Sequence, residues 1–482
     1  MKRFRERGTT GWCEDMSLGI ENITLEEIPE VSYKHRLEIT GRVSRSLVEE
    51  ISRVKKEPEW MRNLRLRALE FFEKARTPQW IPFIEKIDLD EITSLYVKPD
   101  VEKTEKWEDL PEEVRKIYEK LKLPESYARY LAGLTSVLDS ESVFVGVKEY
   151  LRSLGVVMIP MEEAVVKYPN LVREYFSRVF PYTDHKFAAL HYALWSGGVF
   201  VYVPKNVRVA YPVEAFFFVG REMEGQFEHS LIVADEGSEI VFIEGCSAPR
   251  LRKESFHDGM VEIYAHKASK VSFVTVQNWS RNIVNFNNKR AIAEEGATVD
   301  WVEGSIGSKF TVTYPSTILR GEGSSTTSTV MSISRGGVVK DTGSKVIHAA
   351  PRTTSRVTSK SIVADGGVSI YRGLVQVNKG SKGSASYVEC ESLILDEKSQ
   401  SHTYPIVHLL EDDASVGHEA STVKLDEDQV FYLMSRGLRR NEAVSTIIHG
   451  FIRDVLKKLP FEFAVMMSRV LDAEFGEYGG VG

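Results

Sequence analysis

The sequence predicts a mainly β protein, in which a stack of short strands forms a β-helix or a related β-solenoid between two helical segments. From about Gly198 to Leu425, short runs of Val, Ile, Thr, Phe and Tyr alternate with Gly, Ser, Asn and Asp, whereas helix-length apolar patterns occur before and after this region. Within the β region a turn recurs at intervals of 27 to 31 residues. A chain of 482 residues is long enough for two or three domains, or for one elongated core with appendages.

The first predicted domain, residues 1–195, is mainly helical. In the segment EPEWMRNLRLRALEFFEKA, Pro58 suits the first turn of a helix. The apolar residues that follow at spacings of three and four, and so share one helix face, are Met61, Leu64, Ala68 and Phe72.

The second predicted domain, residues 196–424, is the β core. A small residue stands in a turn before an alternating strand in ADEGSEIVFIEG, AHKASKVSFVTV, AEEGATVDWVEG and LRGEGSSTTSTV. These turn residues are Gly237, Ala268, Gly296 and Gly323. Coils that bury their apolar faces only against neighbouring coils produce this periodicity. A β-sandwich would also contain many short strands, but it has no reason to repeat a turn at that interval.

The third predicted domain, residues 425–482, is helical. Asp426 is a candidate N-cap with Gln429 three residues later, and Gly437 suits the position just after the helix. The next helix carries a broad apolar stripe and stops at Pro460, and PFEFAVMMSRVLDAEF forms a last helix. The stripe consists of Val444, Ile447, Ile448, Phe451, Ile452, Val455, Leu456 and Leu459. This surface packs on the solenoid or receives a partner, and the sequence leaves both open.

Composition excludes several classes of function. The formal charge of −7, without long runs of one sign, gives no footprint for nucleic acid. No apolar run is long enough for a signal peptide or a membrane span, so we expect a cytoplasmic protein without a membrane partner. The P-loop, GxSxG and HExxH motifs are missing.

The three cysteines, Cys13, Cys246 and Cys390, are too far apart for a disulfide framework or a CxxC zinc site. Any cysteine chemistry must therefore use single thiols, and the alternative is that these are inert buried thiols.

The strand VTVQNWS and its surroundings contain further candidates. Thr275, Gln277 and Trp279 alternate, so they share one face of a strand, and Lys289 follows in NFNNKR. If the row faces inward, it must line a passage or a hydrogen-bonded network. The alternative is an ordinary outward-facing polar row.

The pair His418 and Glu419 lies just before the C-terminal helices. On a regular strand the two side chains face opposite sides, so only one can reach a given small site unless the strand ends or bulges. Thiolate, imidazole and carboxylate groups together suit iron or zinc. A hydrogen-bonded histidine at the surface or at an interface is the alternative.

Taken in order, these segments resemble the SufB/SufD family of iron–sulfur cluster assembly scaffolds, and more closely its SufB branch. The resemblance covers roughly residues 45 to 478. The motifs that carry it are EPEWM, LRLRALE, FAALHYALWSGGVFVYVPKNV, GQFEHSLIVADEGS, IEGCSAP, TVQNW, DTGSK, YRGLV, YVECESL, SHTYP, HEAST, EDQVFYLMSRG and LPFEFAV.

The resemblance implies a mainly β α+β protein, with a right-handed parallel β-helix flanked by N-terminal and C-terminal helical domains. It implies a non-catalytic scaffold that pairs through the β-helix with a second SufB or with SufD. The C-terminal helices are implied to dock the ABC-type ATPase SufC, which would account for the missing P-loop. A cysteine desulfurase or its sulfur carrier is the implied donor of sulfur.

The resemblance also implies residue roles. Cys246 stands where SufB proteins accept persulfide sulfur, and Thr275, Gln277, Trp279 and Lys289 match a path from it toward the cluster site. Cys390 matches the cysteine tied to the nascent, transient iron–sulfur cluster. Glu419 matches a glutamate of that site, and His418 stands where SufD-type partners offer a histidine. A persulfide forms from a thiolate, so we expect a lowered pKa for Cys246 or a nearby cation such as Lys289.

Three points qualify the resemblance. Only Cys13 stands toward the N-terminal side, so the clustered-cysteine motif of many bacterial SufB proteins is absent. Flavin stays open as a second cofactor, without support from the sequence. The rival interpretations are a β-helix carbohydrate-active enzyme and a SufD-like structural subunit without its own cluster.

Overall fold

The computed structural model describes residues 34–81, 84, 92–105, 131–249, 251–459, 464, 467, 468, 471, 472, 474 and 475. In this part of the chain the fold is mainly β, with two long sheets that form a β-solenoid of about 8 turns and helices in the flanking regions. The parallel β-helix expected from the sequence is therefore confirmed, and its right-handed sense stays a prediction.

The elements before the core of the solenoid are β1 (His35–Thr40), α1 (Arg45–Val54), α2 (Glu59–Lys74), β2 (Ser94–Pro99), β3 (Gly133–Leu138), β4 (Glu141–Val147), α3 (Glu149–Ser153), β5 (Val157–Pro160), α4 (Met161–Lys167), α5 (Pro169–Tyr175) and α6 (Lys186–Leu194).

The solenoid continues with β6 (Val199–Val203), β7 (Val213–Phe218), β8 (Gly225–Gln226), β9 (His229–Ala234), β10 (Glu239–Ser247), β11 (Ser255–Ala265), β12 (Lys270–Trp279), β13 (Ile283–Ala293), β14 (Thr298–Gly307), β15 (Phe310–Thr313), β16 (Ser316–Leu319), β17 (Ser325–Arg335), β18 (Val339–His348), β19 (Thr354–Ala364), β20 (Val368–Val377), β21 (Ser384–Ile394), β22 (Gln400–Leu409) and β23 (Ala414–Lys424). The helices α7 (Glu427–Ser435) and α8 (Arg440–Leu456) follow.

Successive strands of the solenoid alternate between its two sheets. One sheet has the order β4-β3-β7-β10-β12-β14-β17-β19-β21-β23, and the other has β5-β6-β9-β11-β13-β15-β18-β20-β22, with β8 beside β11 and β16 beside β13 and β18. Pairing within both sheets is parallel except for β3 with β4 and β5 with β6. Each coil therefore stacks on the next through parallel ladders, and a separate antiparallel pair, β1 with β2, lies outside them.

The repeated turn predicted from the sequence is confirmed by backbone conformation. All four predicted turn residues have positive φ angles, between 55° and 67°, and Arg352 and Gly383 continue the series. In each of these turns the backbone N–H donates to a carbonyl in the next coil, as in Gly237 N to Lys267 O at 2.9 Å and Ala268 N to Glu295 O at 2.8 Å. The left-handed turn thus gives one coil a donor that fastens the following coil.

The interior of the solenoid is apolar along one side. Phe242 and Phe273 stack with ring centroids 5.4 Å apart, and Trp301 extends the same ladder at 5.4 Å from Phe273. These rings belong to one buried cluster with valines and alanines of both sheets. Aromatic rings on successive coils bury large apolar areas against each other, which is the main stabilisation available to a stack of this kind.

The N-terminal helices pack on the outer face of the β5–β22 sheet. Phe187 of α6 lies 4.5 Å from the ring of Phe286 on β13, within a second buried cluster. The carboxylate of Glu262 on β11 accepts backbone N–H bonds from residues 177–180 at 2.7 to 3.1 Å. The predicted helix after Pro58 is present as α2, with Met61, Leu64 and Ala68 buried.

The N-terminal region contains more β structure than the sequence analysis expected. β3, β4 and β5 lie before residue 196 and already belong to the two sheets. Short buried strands such as GLTSVL lack the alternation that reveals a half-exposed strand, because both faces are covered. The two limits of the three predicted domains, at residues 195 and 424, stay a prediction.

The C-terminal helices begin and end close to the predicted residues. Asp426 caps α7 by accepting from Asp428 N at 2.9 Å, and Gly437 has a φ of 97° just beyond its end. The apolar stripe of α8 packs against the outer face of the β4–β23 sheet, from Ile243 to Leu393. Of the two alternatives for this stripe, packing on the solenoid is therefore observed. Most of the predicted last helix lies outside the described residues, and its Met467, Leu471 and Phe475 are buried in the same cluster.

The last coil, β22 and β23, forms an open end of the solenoid. Apolar side chains exposed there are Tyr404, Ile406, Val407, Leu409, Leu410 and Val423. A second exposed apolar group lies on α7, where Phe431, Tyr432 and Met434 are 71%, 56% and 42% exposed. Among the helices that the structure describes, none combines the length and apolar character needed to cross a bilayer.

Candidate functional site

Strand register aligns two rows of side chains that face the interior from the β4–β23 sheet. The first row is Glu244, Thr275, Glu303, Val330, Ser359 and Cys390. The second row is Cys246, Gln277, Ser305, Ser332, Ser361 and Ser392. Every member is buried. The two cysteines that drew attention in the sequence therefore lie at opposite ends of one polar strip inside the solenoid.

The distance between the two cysteines follows from the sheet order. Five strand steps separate β10 from β21, and at about 4.8 Å per step this places the thiols roughly 24 Å apart. Both cysteines are free. A group that moves from one to the other must therefore travel along the strip, because direct contact is excluded.

Cys246 lies in a fully buried pocket with two other residues that sequence analysis did not single out. Ligand atoms of Glu228, Cys246 and His257 all lie within 4.8 Å of one another. Nε2 of His257 is 2.5 Å from Oε1 of Glu228. Glu228 occurs in the segment GQFEHS and His257 in SFHDG. The two residues and Cys246 form no recognisable metal-binding motif in the sequence, so their proximity results from the fold.

The environment of Cys246 disfavours its thiolate. Burial raises the pKa of the thiol well above its ordinary value, and the nearby carboxylates of Glu244 and Glu228 raise it further. Lys289 lowers the pKa of Cys246 but does not outweigh these effects. Of the two alternatives expected for Cys246, the nearby cation is therefore present and the lowered pKa is not, because desolvation penalises the charged form more strongly.

The predicted row Thr275, Gln277 and Trp279 faces inward, so the outward-facing alternative is wrong. Gln277 exchanges hydrogen bonds with Asn287: its Nε2 donates to Asn287 Oδ1 at 2.9 Å, and Asn287 Nδ2 donates back at 3.1 Å. Trp279 packs on His257 with ring centroids 4.3 Å apart. Gln277 thus joins the strip to the facing sheet through amide hydrogen bonds, which satisfy donors and acceptors that burial would otherwise leave unpaired.

Lys289 projects from β13 between two interior carboxylates. Its Nζ lies 3.4 Å from Glu244 Oε1 and 3.6 Å from Glu303 Oε2. Burial lowers the pKa of Lys289, but Glu303 and Glu244 together bring it above the ordinary value. Thr275 Oγ1 donates to Glu244 Oε1 at 3.2 Å. Lys289 is thus a charged group in the half of the strip nearer Cys246 and a structural partner of two buried acids.

A second interior lysine, Lys340 on β18, was not predicted. Its Nζ donates to the hydroxyls of Ser305, Ser308 and Thr311 at 2.9 to 3.0 Å, and no carboxylate contacts it among the described residues. Burial lowers the pKa of Lys340 to about 7. Polar groups therefore continue through the middle coils from both sheets.

The far end of the strip holds Cys390 and His418. Cys390 Sγ lies 3.9 Å from His418 Nε2. Burial raises the pKa of Cys390, although a hydrogen bond from Thr403 lowers it. Burial also lowers the pKa of His418, which favours the neutral imidazole. The fold thus pairs a thiol with an imidazole in the last two strands of the sheet.

Glu419 faces the opposite way, as strand parity predicted for a neighbour of His418. The register of β21 with β23 is regular throughout, without a bulge. Tyr387 OH donates to Glu419 Oε2 at 2.9 Å on the outer surface. Within one chain, therefore, Cys390 and His418 come together and Glu419 does not join them.

Family models and individual relatives place this chain in the same protein family. The family described as "SUF system FeS cluster assembly, SufBD core domain" matches residues 216–451, and "SufBD protein N-terminal region" matches residues 49–215. The "Iron-sulfur cluster assembly protein SufB" of Bacillus subtilis (strain 168) is 42% identical over 432 residues, which is 90% of this chain and 93% of that protein. SufBD family proteins of Staphylococcus epidermidis and Staphylococcus aureus (strain MRSA252) are similar to the same extent. The chain thus belongs to the SufBD family of iron–sulfur cluster assembly proteins.

Proposed function

We propose that this protein is a non-catalytic scaffold that accepts sulfur at Cys246 and builds an iron–sulfur cluster, its cargo, at Cys390. The observation that carries the proposal is the buried polar strip with one free thiol at each end, the second of them beside a histidine at the open end of the solenoid. Thr275, Gln277, Trp279 and Lys289 then line the first half of the path, and the interior serines and Lys340 continue it.

Sulfur acceptance at Cys246 is a thiolate reaction. The Cys246 thiolate attacks the outer sulfur of a donor persulfide, a new S–S bond forms on Cys246, and the donor leaves as its own thiolate. A cysteine desulfurase or its carrier would supply that persulfide. Because Cys246 is 2% exposed and its pKa is raised, delivery requires both an opening near the end of β10 and removal of the thiol proton.

The cluster end needs ligands from outside one chain. Iron–sulfur clusters are held by about four protein ligands, mostly thiolates, whereas within the described residues Cys390 has His418 alone as a neighbouring ligand. The last coil also leaves interior positions uncovered. Val407 and Leu409 pair in register with Val375 and Val377, which are buried, yet they are themselves 44% and 48% exposed because no coil follows. A second copy of this chain or a SufD-type subunit, seated on β22 and β23, would cover them and bring the missing ligands.

A separate surface suits the ATPase partner. The stripe of α8 is used by the solenoid, so the exposed apolar group of Phe431, Tyr432 and Met434 on α7 becomes the proposed seat of a SufC-type ATPase. Because the sequence has no P-loop, nucleotide hydrolysis is assigned to that partner.

Two free thiols suit a reducing compartment, and we place the protein in the cytoplasm.

Anaerobic reconstitution tests this function. The purified chain, with and without SufC and ATP, is incubated with ferrous iron, sulfide and reductant, and visible absorption, iron and acid-labile sulfide are measured. We expect sulfur-to-iron charge transfer that disappears in Cys390→Ala and persists in Cys246→Ala, since free sulfide bypasses the acceptor. With a persulfide donor in place of sulfide, Cys246→Ala should also fail. A colourless protein even with SufC would instead favour a SufD-like subunit that binds no cluster of its own.

A further inference from the structure

The pocket around Cys246 contains the groups of a metal site. We propose that Glu228, Cys246 and His257 bind a divalent transition-metal ion, one carboxylate oxygen, one thiolate sulfur and one imidazole nitrogen serving as ligands. Their ligand atoms lie within 4.8 Å of one another, and all three side chains are buried. The site is separate from the Cys390–His418 pair, which lies roughly 24 Å away at 4.8 Å per strand.

The orientation of His257 leaves one ring nitrogen for the metal. Nδ1 of His257 lies 2.8 Å from Asn285 Oδ1, and the amide of Asn285 is held in turn because its Nδ2 donates to Gln277 Oε1 at 2.6 Å. An amide oxygen can only accept, so Nδ1 carries the proton and Nε2 faces Glu228 and Cys246. Ligating histidines are commonly fixed in this way by a hydrogen bond from the other nitrogen.

Glu228 has an unused ligand atom in the same pocket. Its Oε1 contacts His257, whereas its Oε2 is buried and has no hydrogen-bond partner. A buried carboxylate oxygen without a partner is costly, and a cation in the pocket would remove that cost. Gly259 on β11 makes room for the carboxylate, because a Cβ at that position would lie 2.7 Å from Glu228 Oε1.

The donor set selects a class of metal. Carboxylate, imidazole and thiolate ligands suit Zn²⁺ or Fe²⁺ rather than Mg²⁺ or Ca²⁺, and three protein ligands leave a fourth position open. Tetrahedral ligands at about 2.0 Å from a metal lie roughly 3.3 Å from each other. His257 Nε2 and Glu228 Oε1 lie 2.5 Å apart. Metal binding would therefore require these two atoms to move apart by less than about 1 Å.

Of the two metals, Fe²⁺ is the one that fits the proposed function. The existence of the metal site does not depend on that function. Metal binding requires Cys246 as its thiolate, which is also the form that accepts sulfur. Iron held at Cys246 would therefore lie at the same end of the polar strip as the incoming sulfur.

A single-cysteine protein isolates the site for testing. In the full chain carrying Cys13→Ser and Cys390→Ser, Cys246 is the only remaining thiol, because the sequence has three cysteines. The probe is Co²⁺, added anaerobically, with near-ultraviolet thiolate-to-cobalt charge transfer as the readout. We expect one Co²⁺ per chain, competed by Fe²⁺ and Zn²⁺. The band should vanish in Cys246→Ser, and affinity should fall at least 10-fold in His257→Gln and Glu228→Gln.

Two further measurements separate binding from folding. Added Co²⁺ should raise the Tm of the single-cysteine protein, as any ligand of the native state does, but not the Tm of Cys246→Ser. Asn285→Ala, which touches no metal, should weaken binding 10-fold to 100-fold through loss of His257 orientation. The proposal is overturned if no thiolate–cobalt band forms, or if His257→Gln and Glu228→Gln bind Co²⁺ as well as their parent does. Because Cys390 is absent from this protein, neither result depends on cluster assembly.

Discussion

Cys390 Sγ and His418 Nε2 lie 3.9 Å apart on neighbouring strands, while the carboxylate of Glu419 points to the other side of the same sheet. This geometry ranks the two candidate ligands of the cluster site. His418→Ala should lower the cluster retained by the reconstituted chain several-fold, whereas Glu419→Ala should retain it. The measurement is iron and acid-labile sulfide per chain after desalting. Equal losses in both variants would mean that a second chain brings Glu419 to the cluster.

Lys289 is expected to stabilise the fold, whatever role it has in sulfur passage. Lys289→Met leaves Glu244 and Glu303 buried without their cation, which should cost about 3–5 kcal/mol in the free energy of unfolding. Urea unfolding would measure this loss. Lys267→Met, which removes an exposed pair with Glu295, is the matched control and should leave the free energy of unfolding nearly unchanged.

Adding Glu303→Gln to Lys289→Met should restore part of the lost stability, because one buried charge is removed. If Lys289→Met is as stable as the parent chain, Lys289 is not the partner that stabilises the two buried acids.

Lys340 predicts a pH dependence of stability. Its pKa of about 7 in the folded chain lies below the ordinary lysine value of 10.5, so the unfolded chain binds more protons between these pH values. Stability therefore rises with pH across this window, by up to about 1.4 kcal/mol per pH unit, and this penalty is fully present below pH 7. Between pH 7.5 and 9.5 the parent chain should gain about 3 kcal/mol relative to Lys340→Met. Parallel stability curves for the two proteins would contradict a neutral lysine inside the solenoid.

The open end of the solenoid should govern association. Val407→Asp places a carboxylate on an uncovered interior position and should abolish pairing with a second copy or with a SufD-type subunit. Light scattering after size-exclusion chromatography measures the change. Val166→Asp introduces the same charge at a position that is 55% exposed on α4 and should leave association unchanged. A Val407→Asp chain that still pairs would move the interface to another surface.

The β-solenoid was predictable because small turn residues recur in the sequence once per coil. Gly237 and Ala268 lie in successive left-handed turns. Because a positive φ favours glycine and other small residues, such turns can be recognised in the sequence. β3 and β5 were not predicted, because strands covered on both faces lose the alternation that distinguishes them from helix. The apolar stripe of α8 was recognised, but a stripe says only that a helix is covered and not by what.

The site was predictable only in part. Strand parity correctly separated His418 from Glu419 and correctly grouped Thr275 with Gln277. Glu228 and His257 escaped notice, because their meeting with Cys246 depends on how coils stack and not on any spacing along the chain. The raised pKa of Cys246 was likewise out of reach, since it follows from desolvation that only the folded interior imposes.

A stack in which each coil touches only its neighbours has unequal resistance to opening along its length. The β22–β23 coil is held from one side, whereas β10 and β12 are held from both, so fraying should begin at the C-terminal end at a fraction of the global unfolding free energy. Amide hydrogen exchange would therefore be fastest around His418 and slowest around Cys246. Under the proposed function, Cys246 would accept sulfur where the solenoid opens least, and Cys390 would hold the cluster beside the coil that opens first. A finished cluster could then leave while the other coils stay closed.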